Sequence, residues 1–517
     1  MLIGYVSDED YVALPGVDFE FESDDGSVAA VSTASGAVHV DLRTGEWRAT
    51  ISKYGYTAKR VTIRVADDNV IQFRLLSDRM YGFMWPKWIR AGETSEYCVH
   101  STKEFRLDLW RYGWEKEFIR SFGWCDEHAP HAMAQILPDG DFTQTGVNWN
   151  RTGYDLKYQK HAIQAPKQSG LYFLHAKTRD DEFCSFPWIV SPASPRAKIA
   201  VLSSTITQNA YNKFGGRSNY FNQDALPGRP LVNARQEVGR YTQPESWPFE
   251  QTAAPLSFQR PEPASHVPEA TRIQDSIPGR VESLFAPGEW RLLGWLEREG
   301  FDYDLYSETE LHFGRLPLES YDVLVLNLHP EYWSRDMYAR VKRWVHEQGG
   351  TLLYLGGCGL YAEVEFDDEA AILCRREGEH SQRGESEAAL LGVAYTHSGF
   401  QTAAPYRVIN AAHWVFEGTG FNEGDLFGTQ SLHERCPGGA SAHELDKICD
   451  ESPRNIVRLA RGTNPDDSGA DLTIYETPSG GSVFSAGSLC WTLSLPVDDG
   501  TSAVTRNVLN RSLERGR

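Results

Sequence analysis

The chain is long, acidic and rich in aromatic residues. It has 517 residues, a formal net charge of −20 and an aromatic content of 12%, including 15 tryptophans. This length predicts two to four domains, since single hydrophobic cores rarely extend beyond about 250–300 residues. The negative charge argues against nucleic acid as a partner, because nucleic-acid binding needs a basic surface, and against adsorption to anionic membranes.

The start of the chain and its cysteines predict a cytoplasmic location. Residues 1–5 lack the charged start and apolar core of a signal peptide. No stretch approaches the run of about 18 apolar residues that a membrane span needs. The eight cysteines are scattered and form no CxxC pair, so reduced thiols are expected rather than a disulfide framework.

Residues 1–78 have the pattern of a small β-sandwich. Apolar and polar residues alternate in four short segments, as in half-buried strands, at 17–21, 37–42, 47–51 and 61–65. Glycine, aspartate and serine separate these segments. The order Gly36-Ala-Val-His-Val-Asp-Leu42, then Gly45-Glu-Trp47, then Lys53-Tyr-Gly-Tyr56 resembles the transthyretin-like, carboxypeptidase-regulatory-like modules attached to many enzymes. The resemblance implies a structural role.

Residues 79–192 predict a second β-sandwich domain. Glu104–Trp110 and Gly170–Ala176 are alternating strand patterns. The segment Ser191-Pro-Ala-Ser-Pro195 follows as a short stiff linker, because each proline disfavours helix in the residue before it.

Residues 196–517 predict a third domain with a doubly wound, mostly parallel sheet. Strand and helix patterns alternate, as in βαβ units. The predicted strands are 198–203, 303–306, 323–326, 351–355 and a hairpin of 472–475 with 482–485; the predicted helices are 289–300, 337–348 and 502–515. The segment from about 207 to 287 is long and irregular, which is typical of the wall of a functional site.

His329 and Glu331 are the first candidate site. They follow the buried strand Val323–Leu326, and open α/β sheets bind ligands at the carboxyl ends of their strands. Two apart on an extended segment, they point the same way and could be a metal ligand and its acid–base neighbour. Alternatively, Glu331 lies in the first turn of the following helix and only complements its dipole.

Cys358 is the second candidate. A strand leads into Gly356-Gly-Cys358-Gly-Leu360, which resembles the sharp turn that displays a cysteine nucleophile in α/β amidotransferases, with a helix N-terminus lowering the thiol pKa. The fit is partial, because position 360 is leucine rather than glycine. The required histidine would come from a later loop, with four candidates available: His397, His413, His433 and His443.

Two further motifs carry weaker signals. Gly215-Gly216 could cradle an anion, but the Gly-Lys-Ser/Thr ending of a phosphate loop is absent. The donors of His433-Glu-Arg-Cys436, His443-Glu444 and Cys449 suggest zinc, although their spacing matches no standard zinc pattern. Glu444 is better interpreted as a single buried catalytic carboxylate.

Four motifs together resemble the large (beta) subunit of N,N-dimethylformamidase and its relatives. They are Asn209-Ala-Tyr-Asn212 with Gly215-Gly-Arg-Ser218, Ser257-Phe-Gln-Arg-Pro261, His329-Pro-Glu-Tyr-Trp-Ser334, and Gly438-Gly-Ala-Ser-Ala-His-Glu-Leu-Asp446. The resemblance extends from about residue 80 to the end of the chain. It implies β-rich N-terminal regions joined to a class I glutamine-amidotransferase-like α/β domain.

The resemblance also implies a mononuclear Fe3+ held by two tyrosines and a glutamate. Tyr211 matches the first tyrosine and Glu331 the glutamate. Tyr241 is the prediction for the second tyrosine, with Tyr220 as its rival. His329 matches a neighbouring histidine, and Glu444 matches a carboxylate that handles protons. Phenolate and carboxylate oxygens are hard donors suited to Fe3+.

The implied function is hydrolysis of a small, N-substituted amide, with the iron as Lewis acid. Position 358 is cysteine where relatives carry asparagine. The resemblance further implies a small accessory subunit, and a homo-oligomer is expected. Two alternatives stay open: a Cys358-dependent amidase or amidotransferase-like hydrolase, and a non-catalytic scaffold that binds carbohydrate or protein.

Overall fold

The structure is a computed structural model. It describes residues 1–66, 70–125, 162–220, 228–232, 255–377 and 385–515. Within this part of the chain the protein is built mainly from β-sheets, the largest of which is flanked by helices. No helix of the described residues is long and apolar enough to cross a membrane.

The first seven strands form two small sheets with their own hydrophobic core. The sheets have the strand orders β4-β1-β7 and β3-β2-β5-β6. In β5 every second side chain is buried, namely Trp47, Ala49 and Ile51, as the alternation in the sequence predicts. The strands are β1 (Leu2–Ser7), β2 (Asp18–Ser23), β3 (Gly26–Val31), β4 (Ala37–His39), β5 (Gly45–Lys53), β6 (Tyr56–Val65) and β7 (Ile71–Arg74).

The next eight strands form two further sheets around a second core. Their orders are β13-β10-β8 and β12-β11-β14-β15-β9. Leu107, Leu109, Leu174 and Trp188 lie in that core and are fully buried. The strands are β8 (Tyr81–Trp85), β9 (Trp88–Arg90), β10 (Thr94–His100), β11 (Phe105–Tyr112), β12 (Lys116–Cys125), β13 (Ala162–Gln164), β14 (Gly170–Thr178) and β15 (Phe183–Ser191).

The remaining strands build one large mixed sheet and three small ones. They are β16 (Ile199–Ser203), β17 (Leu256–Ser257), β18 (Tyr303–Ser307), β19 (Val323–Leu328), β20 (Tyr332–Trp333), β21 (Thr351–Gly356), β22 (Ala362–Asp368), β23 (Ala371–Glu377), β24 (Ala394–Thr396), β25 (Ala403–Ala404), β26 (Tyr406–Val408), β27 (Leu426–Phe427), β28 (Ser441–Ala442), β29 (Leu445–Lys447), β30 (Val457–Gly462), β31 (Asp471–Glu476) and β32 (Ser482–Ser485).

The large sheet has nine strands in the order β18-β16-β19-β21-β32-β31-β30-β26-β27. The first five run parallel, and the last four add antiparallel. The predicted strands and the predicted β31–β32 hairpin are therefore confirmed. The amidotransferase-like classification and the domain limits at 78, 192 and 196 stay predictions.

Helices accompany the large sheet. The α-helices are α1 (Thr205–Tyr211), α2 (Val281–Leu284), α3 (Ala286–Arg298), α4 (Glu308–His312), α5 (Arg335–Gln348), α6 (Glu387–Leu391), α7 (Cys490–Ser494) and α8 (Asp499–Arg515); short 3-10 helices cover 263–265, 318–320, 414–416 and 465–467. Helix α5 begins after Ser334, whose side chain accepts a hydrogen bond from the Met337 amide, and ends at Gly349 with φ +80°. Glycine takes this left-handed conformation without steric cost.

The N-terminal region touches the loop that follows α1. The amide of Ala13 donates to the carbonyl of Leu231 over 2.7 Å, and the Leu231 amide donates to Tyr11 over 3.1 Å. The Gly215 amide donates to the carbonyl of Glu9 over 3.0 Å. We call Glu9, Tyr11 and Ala13 the N-terminal brace. It holds the chain on both sides of Tyr220.

Candidate active site

The site residues come from the carboxyl ends of three neighbouring parallel strands. Tyr211 ends α1, which directly follows β16; His329 and Glu331 follow β19; Cys358 follows β21. Glu444 joins them from the short connection between β28 and β29. The sheet therefore gathers these side chains where an open α/β sheet forms its ligand crevice.

His329 lies between two carboxylates. Its Nε2 atom is 3.0 Å from Glu444 Oε2 and 3.2 Å from Glu331 Oε2. The three side chains are buried, with relative exposures of 0% for His329, 4% for Glu331 and 6% for Glu444. Neither contact has hydrogen-bond geometry, and among the described residues both imidazole nitrogens and both Oε2 atoms lack a hydrogen-bond partner. Buried polar atoms in this state are costly unless a ligand satisfies them.

The charges in this cluster are coupled. Burial lowers the pKa of His329, but the adjacent Glu444 and Glu331 outweigh it and leave this pKa above its ordinary value. Burial acts to raise the pKa of Glu444, but His329 prevails and lowers it. Burial raises the pKa of Glu331 against the opposing effect of His329. These shifts favour an imidazolium–carboxylate pair of His329 and Glu444 beside the carboxyl group of Glu331.

Phenol groups converge on Glu331. The Tyr220 hydroxyl donates to Glu331 Oε1 over 2.7 Å and accepts from the Tyr332 hydroxyl over 2.5 Å. The rings of Tyr211 and Tyr220 are 4.3 Å apart between centroids. Burial raises the pKa of Tyr211 well above its usual value, and the charge of Glu331 adds to this effect. Ionising that phenol therefore requires a nearby positive charge.

The two predictions for the second tyrosine have different outcomes. Tyr241 lies outside the described residues, so its assignment stays a prediction. Tyr220, its rival, is held at Glu331 by the hydrogen bonds described above, and Asn219 donates to the Tyr332 hydroxyl over 2.7 Å. In the described part of the site, Tyr220 thus lies beside Tyr211 and bonds to Glu331.

A buried arginine fixes the loop that carries these tyrosines. Arg260 is fully buried and donates to the carbonyls of Asn209, Phe214 and Arg217 over 2.9–3.0 Å. It also contacts the Asn209 side-chain oxygen at 3.1 Å. We call these contacts the Arg260 clamp. Asn209 and Arg260 of the sequence motifs therefore stabilise the loop through buried hydrogen bonds.

Cys358 lies on a strained turn. It has φ +52°. The Asp446 carboxylate accepts one hydrogen bond from the Cys358 amide over 2.9 Å and another from the Tyr354 hydroxyl over 2.7 Å. A Cβ atom at Gly357 would lie 2.5 Å from the carbonyl oxygen of Glu444. Glycine at 357 thus permits the close approach that brings Glu444 to Cys358.

Two parts of the predicted amidotransferase-type turn at Cys358 are wrong: the helix after the cysteine and the histidine from a later loop. Strand β22, not a helix, follows Cys358, so the predicted helix N-terminus is not present after the cysteine turn. The histidine grouped with Cys358 is His329, whose donor atom lies within 4.8 Å of the thiol and of Glu444. It precedes the cysteine in the chain, whereas a histidine from a later loop was expected.

Other expectations change as well. Glu331 is not in the first turn of a helix, because α5 begins at Arg335 and β20 intervenes. The amides of Gly215 and Gly216 donate to the carbonyls of Glu9 and Lys213, which disfavours an anion cradle. Among the described residues, the zinc motif around His433 does not bring three donor atoms within metal-binding distance.

Three contributors were not predicted. Tyr332 belongs to the His329–Ser334 motif and Asp446 to the motif around Glu444. Their presence in these motifs is the sequence signal that could have identified them. Arg280 places its guanidinium carbon 5.6 Å from the centre of the Tyr211 ring. Nothing local in the sequence indicates this contact, because it depends on how the segment before α2 packs.

Phenol, carboxylate and imidazole groups thus lie together at the carboxyl ends of the parallel strands, and the comparisons give the family. The chain belongs to the family of N,N-dimethylformamidase beta subunit-like proteins, whose C-terminal profile matches residues 106–503. Similar proteins are the N,N-dimethylformamidase beta subunits of an Alcaligenes species and of Paracoccus aminophilus, each 26% identical over 292 residues. These alignments cover 44% of this chain and 37% of each relative.

The match therefore spans little more than a third of the length of these relatives. Among solved structures, a cytoplasmic protein from Salmonella typhimurium LT2 is similar over 43% of this chain and 85% of its own, with 16% identity and a TM-score of 0.29. A score this low carries no argument about the fold.

Proposed function

We propose that this chain hydrolyses a small, N-substituted amide at a mononuclear Fe3+ bound by Tyr211, Glu331 and a second tyrosine. The observation that carries the proposal is the convergence of phenol groups on Glu331, beside the His329–Glu444 pair. Family membership supports the reaction class, since the named relatives are dimethylformamidase subunits.

The residues present fit such an ion. Phenolate and carboxylate oxygens are hard donors that suit Fe3+, and Glu331 Oε2 is a buried acceptor without a hydrogen-bond partner among the described residues. A cation here would also favour the ionised form of Tyr211, whose pKa burial raises. The hydrogen bond to Glu331 supports Tyr220 as the second tyrosine; Tyr241 remains the sequence-based alternative.

Bound iron would supply Lewis acidity, polarising the amide carbonyl and acidifying water. The chain's own groups would manage the protons. Glu444 accepts a proton from the attacking water as its oxygen bonds to the carbonyl carbon. The C–N bond then breaks, and His329 Nε2 gives its proton to the amine nitrogen. Transfer from Glu444 back to His329 restores the pair for the next cycle.

We also propose that the active form is an assembly in the cytoplasm. The relatives are named as beta subunits, which supports a small accessory subunit and association between copies of this chain. Dimethylformamide is the first substrate to test, followed by other N-substituted amides. Activity of the chain alone in that screen would show that no accessory subunit is needed.

The test is the metal content and visible spectrum of the purified chain. We expect about one iron per chain and the broad absorption of tyrosinate bound to Fe3+, both lost in Tyr211→Phe and Glu331→Gln. Comparing Tyr220→Phe with Tyr241→Phe decides the second ligand. Tyr172→Phe is a matched control, because this buried tyrosine bonds only to Gln168 in the described contacts of the second β region. Full iron retention in Glu331→Gln would contradict the ligand set.

A Cys358-dependent hydrolase is the second candidate. It is favoured by the left-handed backbone at Cys358 and the proximity of His329. In that case Cys358→Ala is inactive and the wild-type chain works without metal, whereas the iron proposal predicts residual activity in Cys358→Ala. A colourless, metal-free and inactive wild-type chain would instead favour the scaffold interpretation.

A further inference from the structure

A second set of donor atoms lies beside the proposed iron ligands. The imidazole of His329, the thiol of Cys358 and the carboxylate of Glu444 each offer one atom, and the three atoms lie within 4.8 Å of one another. All three side chains are buried, Cys358 to 3% exposure. In the described residues this is the group of histidine, cysteine and acidic side chains that is compact enough for a metal.

We propose that His329, Cys358 and Glu444 bind a thiophilic divalent cation such as Zn2+. A nitrogen, a sulfur and a carboxylate oxygen form a donor set typical of zinc, and three protein ligands leave one position open. The all-oxygen set of Tyr211, Tyr220 and Glu331 favours a harder ion. Binding at the second set goes beyond the proposed hydrolysis and does not depend on it.

His329 and Glu444 carry buried polar atoms without a hydrogen bond in the described part of the chain. Both nitrogens of His329 and Glu444 Oε2 are buried and have no hydrogen bond within the described residues. A cation would satisfy His329 and Glu444 together, since their facing atoms are 3.0 Å apart. That distance must widen slightly for a cation to enter, because two ligands at about 2.0–2.2 Å from zinc in tetrahedral geometry lie further apart.

The backbone prepares the thiol for this role. The Asp446 carboxylate accepts a hydrogen bond from the Cys358 amide. Because Gly357 has no Cβ atom, the backbone of Glu444 can approach the cysteine turn closely. Ligands held by such fixed surroundings lose little freedom on binding. Binding converts the thiol to thiolate and the His329 imidazolium to neutral imidazole, so two protons are released to solvent.

A cation in this triad would inhibit the proposed hydrolysis. It would bind the atoms of His329 and Glu444 that transfer protons in the proposed reaction. This consequence rests on the proposed function, whereas cation binding itself does not. Zinc added to the iron-loaded chain should therefore suppress amide hydrolysis in the wild type and much less in Cys358→Ser.

The decisive experiment is a Co2+ titration of the reduced, metal-free, full-length chain. We expect a near-ultraviolet charge-transfer band from a Co2+–thiolate bond, abolished by added Zn2+. Cys358→Ser should remove the band and weaken Zn2+ binding by more than about 100-fold, beyond the usual cost of losing an outer-shell partner. Glu444→Gln should weaken binding while keeping the band at high Co2+.

Two control variants separate this site from its alternatives. Cys449→Ser removes an exposed thiol, and Tyr211→Phe removes a proposed iron ligand; both should keep the band. A band absent from the wild type, retained in Cys358→Ser or lost in Cys449→Ser would overturn the proposal. Tyrosinate absorption after iron loading reports separately on the proposed function, so the two can fail independently.

Discussion

Glu444 and His329 form a buried pair whose charges depend on each other. The carboxylate raises the pKa of the imidazole, and the imidazole lowers that of the carboxyl group. Such mutual stabilisation favours the protonated imidazole, which is the form that a general acid for a departing amine needs. Glu331, only 3.2 Å from the same imidazole, has its pKa raised instead by burial, so the pKa values of the two neighbouring carboxyl groups shift in opposite directions.

The pair makes a prediction about catalysis. Glu444→Gln keeps the side-chain volume but removes the charge that holds the proton on His329, and kcat for amide hydrolysis should fall by about 10²–10⁴-fold. Iron content and the tyrosinate spectrum should stay unchanged, because Glu444 is not a proposed iron ligand. Steady-state kinetics with iron analysis of the same preparation check this; loss of iron in this variant would instead make Glu444 a ligand.

At the scale of elements, the Arg260 clamp links distant parts of the chain. One guanidinium reaches a carbonyl in the last turn of α1 and two carbonyls of the loop after it, and burial lowers its pKa to about 10. Removing it would leave several buried acceptors without donors, each costing about 1–3 kcal/mol. The clamp thus stabilises the loop and sets the position of Tyr211.

The clamp can be tested with matched buried arginines. Arg260→Met should lower the free energy of unfolding by at least about 3 kcal/mol and weaken iron binding by about 10–100-fold, as loss of an outer-shell support does. Arg291 is equally buried but binds Glu282 and the carbonyls of residues 272, 273 and 275. Arg291→Met should destabilise the fold while keeping the tyrosinate spectrum, as urea unfolding and absorption measurements would show. Equal loss of colour in both variants would contradict a specific role.

Local pattern accounts for most of the elements but not for the site. The buried run at Val323 predicts β19, and Gly349 predicts the end of α5, because periodicity and left-handed glycine are local properties. Motif resemblance placed Tyr211, Glu331 and Glu444 in one site. The contact of Arg280 with Tyr211 and the strand after Cys358 could not be predicted, because they arise from packing between segments far apart in sequence.

At the scale of the whole molecule, the N-terminal brace joins the first β region to the site loop. Its backbone hydrogen bonds to Gly215 and Leu231 lie on either side of Tyr220, and Lys213 pairs with Asp10 at 3.6 Å. The sequence predicts only a structural module here. The contacts indicate that this module also supports the segment that carries a proposed iron ligand.

Removing residues 1–77 should therefore affect the site as well as the module. We expect faster amide exchange in residues 210–220 and 228–231, and lower iron occupancy, because the loop loses three backbone hydrogen bonds. Hydrogen–deuterium exchange and iron analysis check this, and unchanged exchange in peptides from β19 and β21 would show that the large sheet remains folded. Unaltered exchange and colour in the shortened chain would argue against a supporting role.

The left-handed residues around the site have a consequence for engineering. Leu328, Cys358, Leu360 and His443 all have positive φ, a conformation that costs non-glycine residues about 1–2 kcal/mol each. A search for heat-resistant variants would therefore favour glycine first at Cys358, the smallest of these side chains, because glycine at the buried Leu328 or Leu360 would leave a cavity. Selection for thermal stability alone would remove the Cys358 thiol and make the turn beside His329 more flexible. A more stable chain would then have lost a side chain of the proposed metal site.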